Sequence, residues 1–212
     1  MLYIIATPIG NLKDITLRAL EALEKVSVLL CEDTRNTGLM LANLKIQNKP
    51  KLISFYDEVE EQKIPEVVNL LQNGNEVGLV TDAGTPIISD PGWKLVRKCR
   101  KLGISYTSIP GACAAINALV LSGIPSGRFT FLGFLPKKDG ERIKILEKYK
   151  EFDGAKIIYE SPFRVQKLEE QIKKVYGDEV QISIVREMTK KFEEILTTIT
   201  KEPKGEIVVI FE

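Results

Sequence analysis

The chain has 212 residues, enough for one large domain or two small ones with a real core. Its 44% hydrophobic and 28% charged residues are ordinary for a globular protein, and a net charge of +1 gives no global pull toward nucleic acid or membrane. Histidine is absent, which excludes a Ser-His-Asp triad, a Cys-His pair and a His metal site, and leaves acid–base work to Asp, Glu, Lys, Tyr, Cys or water.

Met1 to Ile5 lacks a basic start, and its apolar run is too short for a signal peptide, so it reads as a first strand over residues 2–6. The loop 7–11 follows, then a helix capped by Asp14 or Thr16, with Leu17, Leu20 and Leu23 near helical spacing. A buried strand is expected at 26–31, a short helix at 37–44, a strand at 51–55, and a helix at 64–73 that Gly74 stops. A fourth strand, 76–80, breaks into a loop with two Pro/Gly turns and two aspartates over residues 81–92. Trp93–Leu102 reads as a helix closed by Gly103, and 104–109 as a fifth strand. Strands alternating with helices at these spacings mean βαβ units and a mostly parallel sheet.

At Pro110-Gly111 the pattern changes, which places a domain boundary there: 1–109 as an N-terminal α/β domain and 110–212 as a C-terminal α+β domain. A small-residue helix is expected over 112–122, strands at 130–134 and 156–160, and helices at 138–150 and 164–176. Three β segments, 180–186, 193–200 and 206–211, are joined by short connections and should pair antiparallel. The fold class is therefore α/β, a mostly parallel first sheet followed by a mixed second one. The odd cysteines Cys31, Cys99 and Cys113 have neither zinc spacing nor a C-x-x-C pattern, so no metal is expected, and a reducing cytoplasm is the simplest compartment. No apolar run approaches the ~20 residues of a membrane span.

No G-x-G-x-x-G follows the first strand and no Walker A loop occurs. Short polar loops follow apolar strands instead, at 7–11, 32–35, 82–86, 160–164 and 186–190. Loops at the carboxyl ends of parallel strands collect on one edge, the usual ligand edge of α/β sheets. This supports an enzyme with a small-molecule site and does not name the reaction. Lys94, Arg97, Lys98 and Lys101 share one face of the 93–102 helix, with Val96, Cys99 and Leu102 on the other. Lys137, Lys138, Arg142, Lys144, Lys148 and Lys150 form a second basic cluster, while Asp57, Glu58, Glu60 and Glu61 form an acidic patch. Solvated helix faces are the plain reading of both basic clusters; a nucleic-acid partner would leave the same electrostatic footprint, and the acidic patch would repel one.

Eight blocks in order carry a resemblance. They are Ala6-Thr-Pro-Ile-Gly-Asn-Leu-Lys-Asp-Ile-Thr16, Glu32-Asp-Thr-Arg35, Asp82-Ala-Gly-Thr-Pro-Ile-Ile-Ser-Asp-Pro-Gly92 and Ile109-Pro-Gly-Ala-Cys-Ala-Ala115. Gly133-Phe-Leu-Pro136, Tyr159-Glu-Ser-Pro-Phe-Arg164, Arg186-Glu-Met-Thr-Lys190 and Lys204-Gly-Glu-Ile-Val208 complete them. Together they resemble the tetrapyrrole methylase superfamily of class III S-adenosylmethionine-dependent methyltransferases, and within it the branch that methylates a cytidine ribose 2′-oxygen in small-subunit (16S) rRNA. The resemblance implies two domains with the cofactor in the cleft between them, and a homodimer. It implies that Pro8, Asp82, Ala83, Gly84, Thr85 and Ile87 line S-adenosylmethionine, with Ala114 and Ala115 on the second-domain side and Tyr159 opposite. The partner it implies is 16S rRNA or the assembled small ribosomal subunit.

A ribose hydroxyl benefits from a base. Members of the family commonly carry a histidine after the third strand, where this chain has Phe55-Tyr-Asp-Glu58. The catalytic candidates are therefore strand-end groups: Glu32, Asp33, Glu160, Glu187 and Lys190, with Arg35, Arg164 and Arg186 suited to phosphates. Two other readings stay open: a tetrapyrrole C-methyltransferase, whose second loop usually runs Gly-Asp-Pro, and a non-catalytic ligand-binding module.

Overall fold

A computed structural model describes residues 1–199 and 203–212. The chain divides into two compact units, Met1–Cys113 and Ala114–Glu212. Residues 110–113, expected to open the second domain, stay with the first, because Thr85 Oγ1 donates to Ala112 O at 2.9 Å and Gly111 lies against Ala6.

The first unit runs β1 (Leu2–Ile5), α1 (Leu17–Lys25), β2 (Val28–Cys31), α2 (Thr34–Asn43), β3 (Lys51–Ser54), α3 (Asp57–Gln72), β4 (Val77–Leu79), α4 (Trp93–Leu102), β5 (Tyr106–Ile109). Its five strands are all parallel, in the order β3-β2-β4-β1-β5. Alternation along the strands divides the core in two. Leu2, Ile4, Leu30, Ile53 and Leu79 pack with Val67 and Leu71 of α3 and Leu95 and Cys99 of α4. Tyr3, Ile5, Leu29 and Cys31 pack with Ala19 and Leu23 of α1 and Leu41 of α2. Helices thus cover both faces, as a parallel sheet requires. Connections from β1 and β2 lead to one face and those from β3 and β4 to the other, so the sheet has a switch point at the carboxyl end of β4.

Thr16, rather than Asp14, caps α1: its side chain accepts from Ala19 N, while Asp14 ends a 3₁₀ turn over Leu12–Asp14. Helix α3 starts at Asp57, well before the expected residue 64. Its first turn carries Asp57, Glu58 and Glu60, which suit a helix amino end. Pro65 sits inside the helix on the solvent side, where water can serve the carbonyl it leaves unpaired.

The second unit runs α5 (Ala114–Ser122), β6 (Phe129–Phe134), α6 (Asp139–Lys148), β7 (Ala155–Glu160), α7 (Val165–Tyr176), β8 (Ile182–Arg186), β9 (Glu194–Leu196), β10 (Ile207–Phe211). The sheet order is β6-β7-β10-β8-β9, with β6–β7 parallel and every other pair antiparallel. This is the mixed sheet anticipated from the short final connections. The expected segment 193–200 is strand only over Glu194–Leu196, and its last residue, Thr200, lies outside the described residues. Leu146, Val165, Leu168 and Ile172 of α6 and α7 pack on Ile158, Ile184, Ile207, Val209 and Phe211. Helix α5 lies against β10, β8 and β7. Among the described residues no helix is long and apolar enough to cross a membrane.

Candidate active site

At the carboxyl edge of the first sheet the loop after β4 is bound to its neighbours. Thr7 and Gly84 exchange backbone hydrogen bonds (N to O, 2.8 and 3.1 Å), and Thr7 Oγ1 donates to Thr81 O at 3.2 Å. Thr85 adds its bond to Ala112 at the end of β5. The backbone between is unusual: Gly84, Ile87, Ser89 and Gly92 sit at φ +88°, +79°, +67° and +124°. A β-branched residue at positive φ is strained, and such strain persists only where surroundings hold it. At Gly92 a Cβ would come within 2.6 Å of Leu79 Cδ2, so no other residue fits without displacement.

The loop's far end is held by a residue that the surface-patch reading misjudged. Glu60 is fully buried. Its Oε1 accepts from the backbone N–H groups of Gly92, Lys94 and Leu95 at 3.1, 3.2 and 3.3 Å. It thereby caps α4, whose own N-cap, Gly92, has no side chain to do so. Glu60 could be recognised in sequence only by starting α3 at Asp57. Arg142 is likewise not a surface cation: it is 1% exposed.

The edge is also acidic. Asp82 is exposed, and its Oδ2 accepts from Asn36 Nδ2 of α2 at 2.9 Å. Glu32, half-buried at the end of β2, accepts from Asp82 N at 3.4 Å. Burial, then the charges of Asp82 and Asp57, push the Glu32 carboxyl above its ordinary range. Asp90, partly buried, is pushed up to about 7, first by burial and then by the charge of Glu32. The sequence reading treated Asp90 as a turn residue; what marks it is its burial and the carboxylates around it, which adjacency in sequence does not reveal. Asn36 carried no local signal either.

The other catalytic candidates are held in structural roles. Asp33 caps α2, accepting from Arg35 N, and its carboxylate also takes Arg35 Nε and Nη2 at 3.0 and 2.6 Å. The Arg35 side-chain bonds hold Asp33 well below the usual carboxylate range, and Asp33 raises the Arg35 guanidinium in turn. In the second unit Glu160 is buried with two guanidiniums: Arg164 Nη2 at 2.5 Å and Arg142 Nη1 at 3.7 Å, with Ser161 N donating at 2.8 Å. Arg142 is itself held by Gln171 and Asp139. Lys190 Nζ donates to Glu187 and Glu206, each at 3.0 Å. Burial works against both charges, yet the bonds from Lys190 and Glu206 N lower Glu187, and those to Glu206 and Glu187 raise Lys190. A clamped carboxylate and a firmly protonated lysine are poor bases. Arg186 is tied to Glu194 at 2.6 Å.

Among the residues expected to line a cofactor, Pro8 is buried beside Thr7, Ala83 is exposed, and Thr85 and Ile87 are partly buried in the β4 loop. Ala114 and Ala115 open α5, and Ala115 N donates to Tyr159 Oη at 3.1 Å. The Tyr159 ring stands edge-on to Phe131 and Phe134 at 4.9 and 5.4 Å.

A parallel first sheet with a tethered loop at its switch strand, followed by a mixed second sheet, defines the α/β class of tetrapyrrole-methylase-like folds. A family model for tetrapyrrole (corrin/porphyrin) methylases matches residues 1–203. Diphthine synthase superposes with a TM-score of 0.76 at 12% identity, over 99% of this chain and 89% of that one. The uroporphyrin-III-C-methyltransferase of Thermus thermophilus gives 0.68 at 17%, over 99% and 93%. At these identities the likeness is one of fold. Nearer in sequence, the ribosomal RNA small subunit methyltransferase I of Haemophilus influenzae is 45% identical over 223 residues, spanning 100% of this chain and 78% of that protein. Its counterpart from Hydrogenobaculum sp. is 41% identical, over 99% and 94%. The chain belongs to the tetrapyrrole methylase family and, within it, to the ribosomal RNA small subunit methyltransferase I family.

Proposed function

We propose that the chain transfers a methyl group from S-adenosylmethionine to a cytidine ribose 2′-oxygen of 16S rRNA, in the cytoplasm and as a homodimer. The observation that carries this is the tethered, strained β4 loop set beside two carboxyls of raised pKa on one sheet edge. Kinship above 40% identity with small-subunit rRNA methyltransferases supports the choice of acceptor. A tetrapyrrole acceptor has the broader family model and a fold-level likeness behind it, and no relative of comparable identity among those named.

The residues fit the methyl donor. An exposed Asp82 carboxylate, fixed by Asn36, suits an ammonium or a ribose hydroxyl, and Gly84 takes the positive φ that the loop needs beside it. Pro8, Asp82, Ala83, Gly84, Thr85 and Ile87 are the first unit's share of the binding residues. Ala114, Ala115 and Tyr159 are the second unit's. S-adenosylmethionine, when bound, supplies an electrophilic methyl on a sulfonium. The chain's task is then alignment of the acceptor and disposal of one proton. A base works best with a pKa near the working pH. Asp90, pushed up to about 7 by burial and the charge of Glu32, meets that condition and accepts the hydroxyl proton. Asp33 in the first unit and Glu160, Glu187 and Lys190 in the second each hold local structure, and Arg35, exposed at the first sheet's edge, meets phosphate.

Calorimetry with S-adenosylmethionine tests the donor site: micromolar binding is expected, with at least tenfold loss in Asp82→Ala. Mass mapping of rRNA from cells lacking the chain tests the acceptor, since one cytidine ribose methylation should disappear. No binding by the intact chain, or an unchanged rRNA map, overturns the reading.

A further inference from the structure

Helix α4 leaves the β4 loop directly and carries five cations and no anion in ten residues, Trp-Lys-Leu-Val-Arg-Lys-Cys-Arg-Lys-Leu. Leu95 and Cys99 are buried in the first unit's core. Trp93, Arg97 and Lys101 recur every fourth residue and make one outer ridge; Lys94 and Lys98 make the ridge beside it. Trp93 is 49% exposed, and Arg97, Lys98, Arg100 and Lys101 are exposed as well. Lys94 is paired with Glu61 at 2.8 Å, and its Nζ lies 5.8 Å from the Trp93 ring centroid. Among the described residues no carboxylate pairs with Arg97, Lys98, Arg100 or Lys101.

We propose that this face of α4 is the track on which the substrate's phosphate backbone lies, with Trp93 as a stacking platform at the end nearest the β4 loop. The inference rests on the rRNA methyltransferase reading and extends it by naming the surface. Successive cations on the ridge are ~6 Å apart along the axis, similar to the separation of consecutive phosphates on a strand, and the ridge runs ~12 Å from Trp93 to Lys101. The amino end of α4 is not the anion site, because Glu60 already takes its N–H groups. That leaves the side of the helix, where three cations can each neutralise one phosphate. A membrane surface is the poorer partner, since the apolar face a bilayer would need is spent on the core.

The test compares the intact chain with Arg97→Gln/Lys98→Gln/Lys101→Gln and with a charge-matched control on the second unit, Lys144→Gln/Lys148→Gln/Lys150→Gln. The probes are small ribosomal subunits lacking the methyl mark and a single-stranded 16S rRNA fragment, titrated across a salt series. Expected for the α4 variant are ~10-fold or greater loss of RNA affinity and a slope of log K against log[salt] shallower by ~2, or ~0.7 for each of three phosphates. KM for subunits should rise with kcat and S-adenosylmethionine binding unchanged, and the control should behave as the intact chain. Trp93→Ala should weaken binding without moving the slope. An α4 variant with unchanged affinity and slope overturns the proposal while methylation by the intact chain leaves the function standing. An intact chain that neither binds nor methylates RNA overturns both, as does α4-dependent binding to anionic vesicles with none to RNA.

Discussion

Asp90 shows how a single carboxyl can be tuned by place. Burial and the neighbouring Glu32 raise it to about 7 from 3.8. Between those values the folded chain holds a proton that the unfolded chain releases. The contribution is therefore fully favourable below pH ~4 and is lost as pH rises through 7. Asp90→Asn, which never ionises, should match the intact chain at pH 4 and be more stable at pH 8 by ~1–2 kcal/mol, an amount reduced for partial exposure. Thermal unfolding at the two pH values reads this, and a gap that does not change with pH contradicts it. Activity should fall in the same variant, separating the stability and proton-accepting roles. Both aspartates of the loop were visible in the sequence, but their difference was not. Asp82 stays in water with an amide partner, whereas Asp90 is partly buried and feels the charges of Glu32, Asp57 and Asp82. Likewise Glu160 stood at a strand end as a catalyst would, and only the approach of Arg142 from the preceding helix α6 and of Arg164 at the start of α7 makes it structural.

At the scale of elements, helix α4 is the case where periodicity alone sufficed, since its expected and observed bounds coincide at Trp93–Leu102. Its start is enforced from outside, by Glu60 of α3. Replacing Glu60 by Ala should remove the acceptor for three N–H groups and destabilise the chain by ~2–4 kcal/mol, while Gln, keeping one oxygen, should lose roughly half of that. Urea unfolding of the two variants checks the order. If both lose equally, the carboxylate charge rather than the hydrogen bonds is what matters. The strands were legible because both-face burial writes them as apolar runs such as Val28-Leu-Leu-Cys31. Their pairing was less so: that β4 lies between β1 and β2 depends on crossover direction, which no local pattern encodes.

For the whole molecule, the division into two units was legible in the change at Pro110, and its position shifted only because residues 110–113 are tied back to the β4 loop. The strand order also bears on how the chain is made. Strands β1 and β2 leave the ribosome first but have no partner in each other, because β4 fills the place between them. Synthesis at ~5–20 residues per second separates the emergence of Cys31 from that of Leu79 by about 2–10 s. Through that interval β1, which pairs only with β4 and β5, stands unpaired, and β2 can find only β3. Nascent chains stalled just after β2 should be cut readily by protease, and those stalled once β4 and α4 have cleared the exit should resist; equal sensitivity at both lengths argues against this order. The strand that carries the loop proposed to hold the methyl donor is thus also the keystone of assembly, so a chain that has not formed β4 cannot close its first sheet.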